Sequence, residues 1–304
     1  MSAIPPSVCI LLPVHNGSRY VDEAIASVCG QSIGGWELLA IDDASTDDSI
    51  ERLRRHADPR IRVERHAQNL GLYGTLREAT RGVQAEWVVI LMQDDRLKPG
   101  YLKSMLALAG QHPSADAFWA TEDLIGADGL LVRRGRDTGR VEPIAPGAAS
   151  WCSALTRGCI WTISGSMTRA RLFREYPLRA DLPHCGDYEW FLRVVRDRPF
   201  VYYERALVEL RVHAGQTSAL HLSTARDVQE GYAIVRSQLS SHPHDLDWRS
   251  AMGIIWRRML STGRRVPGSV RRQQWQLTTR LMRYVMSFFA LGFAFGFWRR
   301  KQRA

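Results

Sequence analysis

The stretch "VCILLPVHNGSRYVDEAIASVCGQSIGGWELLAIDDASTDDS", residues 8–49, decides the fold because its hydrophobic pattern changes twice. Residues 8–14 are almost all apolar, which is typical of a strand that is buried on both faces of a sheet. Residues 19–29 carry apolar side chains at helical spacing, and residues 36–41 form a second apolar run. A strand, a helix and a second strand in this order predict a parallel pair of strands joined by a crossover helix.

The same alternation continues through the first half of the chain. Residues 61–65, 87–92 and 115–121 have strand patterns, and segments with helical spacing separate them. Ser45 and Asp48 have the spacing of a capping box, which predicts a helix starting just after Ser45. The expected fold class is therefore α/β, with a mostly parallel sheet flanked by helices.

Polar side chains follow three of the predicted strands. These strand ends are "PVHNG" (13–17), "DDAS" (42–45) and "QDD" (93–95). Ligands of open α/β sheets bind outside the carboxyl ends of the strands. Adjacent acids at such a place can bind a divalent cation, act in acid–base chemistry or cap the next helix. Three polar strand ends on one sheet edge favour a ligand site over helix caps.

Composition indicates an ordinary globular protein in a reducing compartment. The 304 residues are 45% hydrophobic and 24% charged, which suits one large α/β domain with an extension. The five cysteines are odd in number and form no CxxC motif, so we expect reduced thiols. The first apolar run is too short for a signal peptide and has no basic stretch before it. These features predict a cytoplasmic location.

The net charge of +10 is concentrated in the C-terminal part of the chain. Residues 248–304 contain 13 Arg and Lys and no acid, whereas residues 1–247 have a net charge of −3. Residues 284–298 carry no charge and, as a helix, would span roughly 22 Å, short of the ~30 Å hydrocarbon core. We expect a helical, membrane-associated extension that lies on an anionic bilayer at the inner face of the plasma membrane. Packing against the domain or a second subunit is the alternative, and no nucleic acid partner is expected.

A resemblance to a known family rests on an ordered series of motifs. Residues 8–49 resemble the opening of family 2 inverting glycosyltransferases of the GT-A fold, with strands ending in P-x-[YH]-N and D-D-[GA]-S. "NLGLYGTLREATRGVQAEWVVILMQDD" (69–95) resembles the family's N-x-G loop and its DXD-type acidic motif. "GDYEWFLRV" (186–194) resembles the E-D motif, and "LRVHAGQTS" (210–218) resembles the terminal R-x-H segment. The match covers roughly residues 7–220.

The resemblance implies an organisation and an activity. A Rossmann-like GT-A domain would comprise residues 1–220, with a nucleotide-sugar half at 1–125 and an acceptor half at 126–220, followed by the extension at 221–304. The implied reaction is inverting transfer of one sugar from a nucleoside-diphosphate sugar to a hydroxyl of a glycan or lipid-linked acceptor in cell-surface polysaccharide synthesis. No Q-x-x-R-W motif follows Asp187, which argues against a processive synthase.

The matched positions also imply roles for individual residues. Asp187 would be the catalytic base of a single displacement. Asp94, Asp95 and His213 would bind Mn²⁺ or Mg²⁺. The residues expected to bind the nucleotide sugar are Pro13, His15, Asn16, Asp42, Asp43, Asn69, Gly71, Gln93 and Asp94.

Two departures from the family motifs leave a second hypothesis open. Met92 stands at the first position of the DXD-type motif, and Gly186 stands where relatives carry glutamate. A non-catalytic protein that binds nucleotide sugars, or serves as a scaffold with a degraded metal site, would be consistent with these changes. A phosphorelay receiver also has acids at strand ends, but it does not account for Asp187 or for residues 210–218.

Single residues have structural explanations as well. Asp187 can be an acid favoured by the dipole at a helix N-terminus. His213 can be a histidine bonded to the backbone at a strand end. Three tryptophans can either stack on acceptor sugars or belong to the core, namely Trp151, Trp161 and Trp190.

Overall fold

A computed structural model describes residues 7–242 and 245–301 of the chain. Side chains are described throughout these ranges except at 217–220 and 293–301. The predicted apolar segment 284–298 is therefore covered only in part, and the basic residues 299–303 lie outside the described side chains.

The chain divides into two compact units. The first consists of Met1–Pro146 and Trp161–His213, and the second consists of Gly147–Ile160 and Ala214–Ala304. Residues 147–160, assigned by sequence to the acceptor half, thus group with the C-terminal helices.

One sheet of ten strands forms the centre of the first unit. The strands are β1 (Val8–Val14), β2 (Trp36–Asp42), β3 (Ile61–Arg65), β4 (Trp87–Ile90), β5 (Arg96–Leu97), β6 (Ala117–Ile125), β7 (Leu131–Arg133), β8 (Arg140–Ile144), β9 (Ser166–Arg169) and β10 (Phe200–Arg211). Their order is β3-β2-β1-β4-β9-β6-β10-β5, with β7 beside β6 and β8 beside β10.

Twelve helices are described in the two units together. Those of the first unit are α1 (Val21–Cys29), α2 (Ser49–Arg54), α3 (Leu72–Gly82), α4 (Tyr101–Gln111), α6 (Ala170–Glu175) and α7 (Gly186–Asp197). Those of the second are α5 (Ala148–Arg157), α8 (Thr217–Thr224), α9 (Arg226–Ser241), α10 (Trp248–Gly263), α11 (Val266–Arg271) and α12 (Trp275–Lys301).

The predicted α/β class and its first parallel strands are confirmed. β1 pairs in parallel with β2 and β4, and β2 pairs in parallel with β3. All seven residues of β1 are buried because the sheet is covered on both faces. The sheet is more mixed than the alternation predicts, since β9 runs antiparallel between β4 and β6. β10 is one long strand parallel to β6, with register shifts between Tyr203 and Val208.

One predicted helix start is wrong. The capping box at Ser45 does not form, because the Ser45 hydroxyl accepts a hydrogen bond from the Asn16 amide at 3.0 Å. α2 begins only at Ser49, whose amide and hydroxyl donate to the Asp47 carboxylate. In the second unit, Ala225 separates α8 from α9 and has a φ of 58°.

The three tryptophans belong to the core. Trp161 and Trp190 stack in the first unit with their ring centroids 4.9 Å apart, and both are fully buried. Trp151 is buried in the second unit, where its indole N–H donates to Gln238 at 2.9 Å. Sugar stacking on these rings is therefore ruled out. The five cysteines are free thiols, as predicted.

The second unit is helical. α12 packs on α9, α10 and α11, with Leu277, Leu281 and Phe288 on its buried face. Among the described residues, no helix combines the length and apolar character that crossing a bilayer needs.

Candidate active site

The carboxyl ends of β1, β2 and β4 meet at one edge of the sheet. In the register of the sheet, Pro13 lies opposite Ile41 and Val14 opposite Asp42, and Leu11 lies opposite Ile90 of β4. Pro13 is buried near the end of β1, and it has no backbone N–H that would need an acceptor. The loops that follow these strands carry most of the predicted site residues.

Asn16 joins the loop after β1 to the loop after β2. Its side-chain oxygen accepts a hydrogen bond from the Thr46 amide at 2.8 Å. The Asn16 backbone has a φ of 52°, in the left-handed region that asparagine tolerates better than most residues. Next to it, the Gly17 amide donates to the Ser49 hydroxyl at 2.8 Å. These bonds fix the shape of the edge before any ligand is bound.

Gln93 and His15 connect the ends of β1 and β4. The His15 amide donates to Oε1 of Gln93 at 2.8 Å, and Nε2 of Gln93 donates to the His15 carbonyl at 3.2 Å. A Cβ at Gly17 would lie 2.4 Å from Oε1 of Gln93, so a larger residue there would displace the Gln93 side chain. The Gln93 side chain, predicted to contact the nucleotide sugar, thus forms hydrogen bonds between the strand ends. His15 is exposed.

Asp43 organises the loop at 69–71. Its carboxylate accepts hydrogen bonds from the Leu70 amide at 2.8 Å and the Gly71 amide at 2.9 Å, and it contacts Nδ1 of His66 at 2.8 Å. Gly71 has a φ of 71°, which disfavours other residues. The Asn69 side-chain amide lies 3.0 Å from Nδ1 of His15. Asp43 therefore acts on the loop at 69–71 by holding its backbone.

Asp42 is fully buried and retains one acceptor oxygen without a partner. Its Oδ2 lies 3.1 Å from Nε of Arg65 and 3.4 Å from the Ser45 amide. Its Oδ1 has no hydrogen-bond partner within the described part of the chain. A buried carboxylate oxygen without a partner costs free energy, so this atom is suited to accept a hydrogen bond from a ligand.

Asp94 and His213 meet at the end of β4. Nε2 of His213 lies 3.1 Å from Oδ2 of Asp94, and both side chains are about one-sixth exposed, at 16% and 17%. The His213 ring packs on Tyr20 with the ring centroids 5.0 Å apart. Arg211 fixes this arrangement, since its Nε donates to the Asp94 carbonyl at 2.9 Å.

Asp95 lies apart from that pair. It is buried, and its Oδ1 accepts the backbone N–H of Arg211 at 2.9 Å. Burial, followed by the neighbouring Asp94 charge, raises the pKa of Asp95 to about 7. The prediction that Asp95 binds metal does not fit this placement, because the carboxylate holds the end of β10 instead.

Asp187 lies in the first turn of α7. Its Oδ1 accepts the Tyr188 amide at 2.7 Å, and the hydroxyl of Tyr73 donates to the neighbouring His184 carbonyl at 3.5 Å. Burial raises the pKa of Asp187, an effect that the Tyr188 amide, the Tyr73 hydroxyl and the nearby His184 oppose. A carboxylate with a raised pKa is a stronger base than ordinary aspartate.

Side-chain contacts and short backbone segments lead from Asp94 to Asp187. Asp94 follows Gln93, which pairs with the His15 backbone, and the His15 ring contacts Asn69. The loop of Asn69 leads directly into α3, where Tyr73 reaches Asp187. All these residues belong to the first unit.

The residues present fit a divalent cation that shares its ligands with substrate. Among the described residues, no group of three or more His, Cys, Asp or Glu could hold a metal ion alone. Asp94 and His213 supply one carboxylate and one imidazole, both partly exposed. Mg²⁺ and Mn²⁺ sites commonly use few protein ligands together with waters and phosphate oxygens.

A mixed Rossmann-like sheet with this polar edge agrees with the GT-A fold that the sequence motifs predict. The chain belongs to glycosyltransferase family 2, since it matches the family "Glycosyl transferase family 2" over residues 9–185, more than half of its length.

Curated relatives agree with this family. The chain is 24% identical over 221 residues to an uncharacterized glycosyltransferase of Haemophilus influenzae, which covers 71% of this chain and 68% of that protein. It is 30% identical over 115 residues to the putative teichuronic acid biosynthesis glycosyltransferase TuaG of Bacillus subtilis, covering 37% of this chain and 46% of TuaG. It is 23% identical over 250 residues to the chondroitin synthase of Escherichia coli, covering 77% of this chain but 33% of the synthase.

Among solved structures, the fold is similar to that of S. aureus TarS residues 1–349 crystallised in complex with UDP-GlcNAc. The TM-score is 0.70 at 15% identity, and the match covers 94% of this chain and 81% of the TarS chain. At this identity the likeness establishes the fold alone.

Some residues that build the site were not predicted from the sequence. Arg211 was noted only as part of a motif, yet its side chain is fully buried and also donates to the Gly126 carbonyl and to Glu23. Tyr73 gave no signal at all, since one aromatic at a helix start is usually core. Both act through contacts between residues over a hundred positions apart, and no local pattern encodes such contacts.

Proposed function

We propose that the protein transfers one sugar from a nucleoside-diphosphate sugar to a hydroxyl of a glycan or lipid-linked acceptor, with inversion at the anomeric carbon. The observation that supports this most is the contact path from Asp94 to Asp187 along one sheet edge. Names of relatives that refer to teichuronic acid and chondroitin support a role in cell-surface polysaccharide synthesis.

The nucleotide would bind along the ends of β1 and β2. The unpartnered Oδ1 of Asp42 can accept a hydrogen bond from an N–H of the base. The exposed side chains of His15, Asn16 and Asn69 border the same edge and can contact the nucleotide sugar. Pro13, Asp43, Gly71 and Gln93 contribute by fixing the backbone around it.

The diphosphate would lie against Asp94 and His213, and these are the residues proposed to hold Mn²⁺ or Mg²⁺. Such an ion, when bound, stabilises the negative charge that grows on the leaving diphosphate. Without it, Asp94 would repel the diphosphate, so binding of the two ligands should depend on each other.

Asp187 is the proposed base. It accepts the proton of the acceptor hydroxyl while that oxygen bonds to the anomeric carbon and the bond to the diphosphate oxygen breaks. General-base catalysis of this kind contributes about 10²–10⁴ in rate. A single displacement with one base inverts the anomeric carbon.

The alternative is a non-catalytic nucleotide-sugar-binding or scaffold protein. Met92 removes one carboxylate from the DXD-type motif and Asp95 is turned away, which favours weak metal binding. Incubation with UDP-, dTDP- and GDP-sugars and Mn²⁺ or Mg²⁺, with products read by mass spectrometry, separates the two. Hydrolysis or transfer supports the enzyme, whereas nucleotide binding without turnover over donors and acceptors supports the scaffold.

We propose further that the second unit docks on an anionic membrane surface. Four exposed apolar residues of α12 follow intervals of seven, four and three positions, which places them on one helix face: Trp275, Met282, Met286 and Phe289. At the start of α12, a cavity of about 470 Å³ is lined by Arg264, Arg265 and Arg272. Helices that combine an exposed apolar face with basic residues are typical of lipid interfaces. This would hold a cytoplasmic enzyme at the inner face of the plasma membrane, near a lipid-linked acceptor.

A further inference from the structure

Gly186 is the residue that departs most from the family's E-D motif, and the structure gives a reason for the departure. It lies at the start of α7 and is buried. A Cβ built on Gly186 would meet Cδ2 of Tyr73 at 2.6 Å and Cε2 at 2.7 Å. Real Cβ atoms do not approach ring carbons so closely, so a glutamate would displace the Tyr73 ring. Glycine at 186 and tyrosine at 73 therefore fit each other.

The approach of the ring brings the Tyr73 hydroxyl to Asp187. Tyr73 is 4% exposed, and its hydroxyl lies 3.5 Å from the His184 carbonyl oxygen. The same hydroxyl lies near enough to the Asp187 carboxylate to lower its pKa. A phenol in this place can only donate to a carboxylate, so the bond favours the charged form of Asp187.

Three groups face the Asp187 carboxylate from the elements around it. α7 itself contributes the Tyr188 amide, α3 contributes the Tyr73 hydroxyl, and the loop before α7 contributes the His184 side chain. All three favour the carboxylate, whereas burial opposes it. Of the three, Tyr73 lies on α3, directly after the loop at 69–71 that Asp43 holds at the end of β2.

We propose that Tyr73 is a positioning residue for the base: its hydroxyl orients the Asp187 carboxylate toward the acceptor, and Gly186 makes room for it. In this arrangement the Tyr73 phenol takes over the place that the missing Glu side chain leaves beside Asp187. The inference rests on the proposed function, because it assigns a partner to the proposed base. Tyr73 touches no reacting atom in this role.

Tyr73→Phe tests the inference, because it removes the hydroxyl but keeps the ring that packs on Gly186. We expect kcat to fall roughly tenfold, which is less than the about 10²–10⁴ that general-base catalysis contributes because the base itself is kept, with the KM for the donor changed less than twofold. We also expect the acid limb of the kcat/KM profile to move to higher pH, since a bond that stabilises the charged Asp187 is lost. A structural role alone would not shift that limb.

Tyr176→Phe is the matched control. The Tyr176 hydroxyl donates to Asp197 at 2.8 Å, and Asp197 is the last residue of α7. The variant therefore removes a tyrosine–aspartate hydrogen bond that lies away from Asp187. It should leave both kcat and the pH profile unchanged. An unchanged kcat and an unshifted acid limb in Tyr73→Phe would overturn the inference.

Two further proteins separate failure of this inference from failure of the proposed function. If the wild type transfers no sugar, or Asp187→Asn transfers as fast as the wild type, the proposed function itself fails. If Tyr73→Phe does not fold, Gly186→Ala gives a second test, because the added methyl group displaces the ring and should shift the acid limb in the same direction. An unshifted limb in folded Gly186→Ala would also overturn the inference.

Discussion

Nε2 of His213 lies 3.1 Å from Oδ2 of Asp94, although 119 positions separate the two residues in the chain. Arg211 brings them together, since its side chain donates to the Asp94 carbonyl and its backbone N–H donates to Asp95. The Arg211 guanidinium is itself held by Glu23 at 2.6 Å and stacks over the Tyr20 ring. The end of β10 thus places His213 next to the residues that follow β4.

The Asp94–His213 pair predicts cation-dependent nucleotide binding. Asp94→Asn should weaken binding of UDP in the presence of Mn²⁺ by at least roughly tenfold, since losing even an outer-shell partner of a metal costs that much. Calorimetry with Mn²⁺ and with EDTA measures the effect. Asp58→Asn is the control, because Asp58 pairs only with Arg60 in a surface turn. Equal UDP affinity of Asp94→Asn and the wild type would contradict the metal assignment.

Asp43→Asn should lower stability and nucleotide affinity together. The substitution turns one acceptor oxygen into a donor that faces the amides of Leu70 or Gly71. Leaving such a buried group unsatisfied costs about 1–3 kcal/mol. Chemical denaturation and UDP titration measure the two effects. A variant with unchanged stability would show that the loop does not depend on Asp43.

Asp42→Asn should separate these two effects. Its Oδ1 has no partner to lose, so nucleotide affinity should fall by more than stability does. Titration of the variant with UDP, followed by unfolding of the free protein, compares the two. Wild-type affinity for every nucleotide tested would remove Asp42 from the proposed base site.

Asp187→Asn should raise the melting temperature at pH 7. The folded pKa of Asp187 is raised by burial, so this group favours folding below its unfolded pKa, and that contribution is lost as the pH rises toward the folded pKa. The neutral amide avoids this loss and keeps an oxygen for the Tyr188 amide. Thermal unfolding at pH 7 tests the sign. A lower melting temperature would indicate that Asp187 is a stabilising acid at the helix N-terminus.

Membrane docking predicts binding that depends on both charge and apolar contact. The protein should sediment with vesicles containing phosphatidylglycerol and not with pure phosphatidylcholine, and high salt should release it. Met286→Ser should weaken this binding, whereas Val132→Ser, a change at an exposed valine of the first unit, should not. Inorganic phosphate as competitor tests whether the arginine-lined cavity takes a free phosphate instead. Equal binding to both kinds of vesicle would contradict the proposal.

The sequence predicts much of the fold, because most of the first strands are long runs of apolar residues. β1 and β3 have the predicted bounds. The short strand β9 escaped prediction because four residues after an irregular aromatic stretch carry no readable period. Its position in the sheet is set by pairing with β4 and β6, which are distant in sequence.

The site is harder to predict than the fold. Motif positions indicate which residues lie at the sheet edge, but they do not give the direction in which a side chain points. Asp94 and Asp95 are neighbours in sequence, yet one lies beside His213 and the other is buried under Arg211. The roles of Gln93 and Tyr73 depend on the glycines at 17 and 186, which leave space for their side chains.

The most direct test of the account is the single-turnover rate of sugar transfer by Asp187→Asn, measured with donor affinity on the same protein. We predict a rate at least about 10²-fold below the wild type, the lower bound for loss of a general base, with UDP affinity unchanged. Transfer at the wild-type rate would contradict the account, because no other carboxylate in it is assigned to the acceptor hydroxyl.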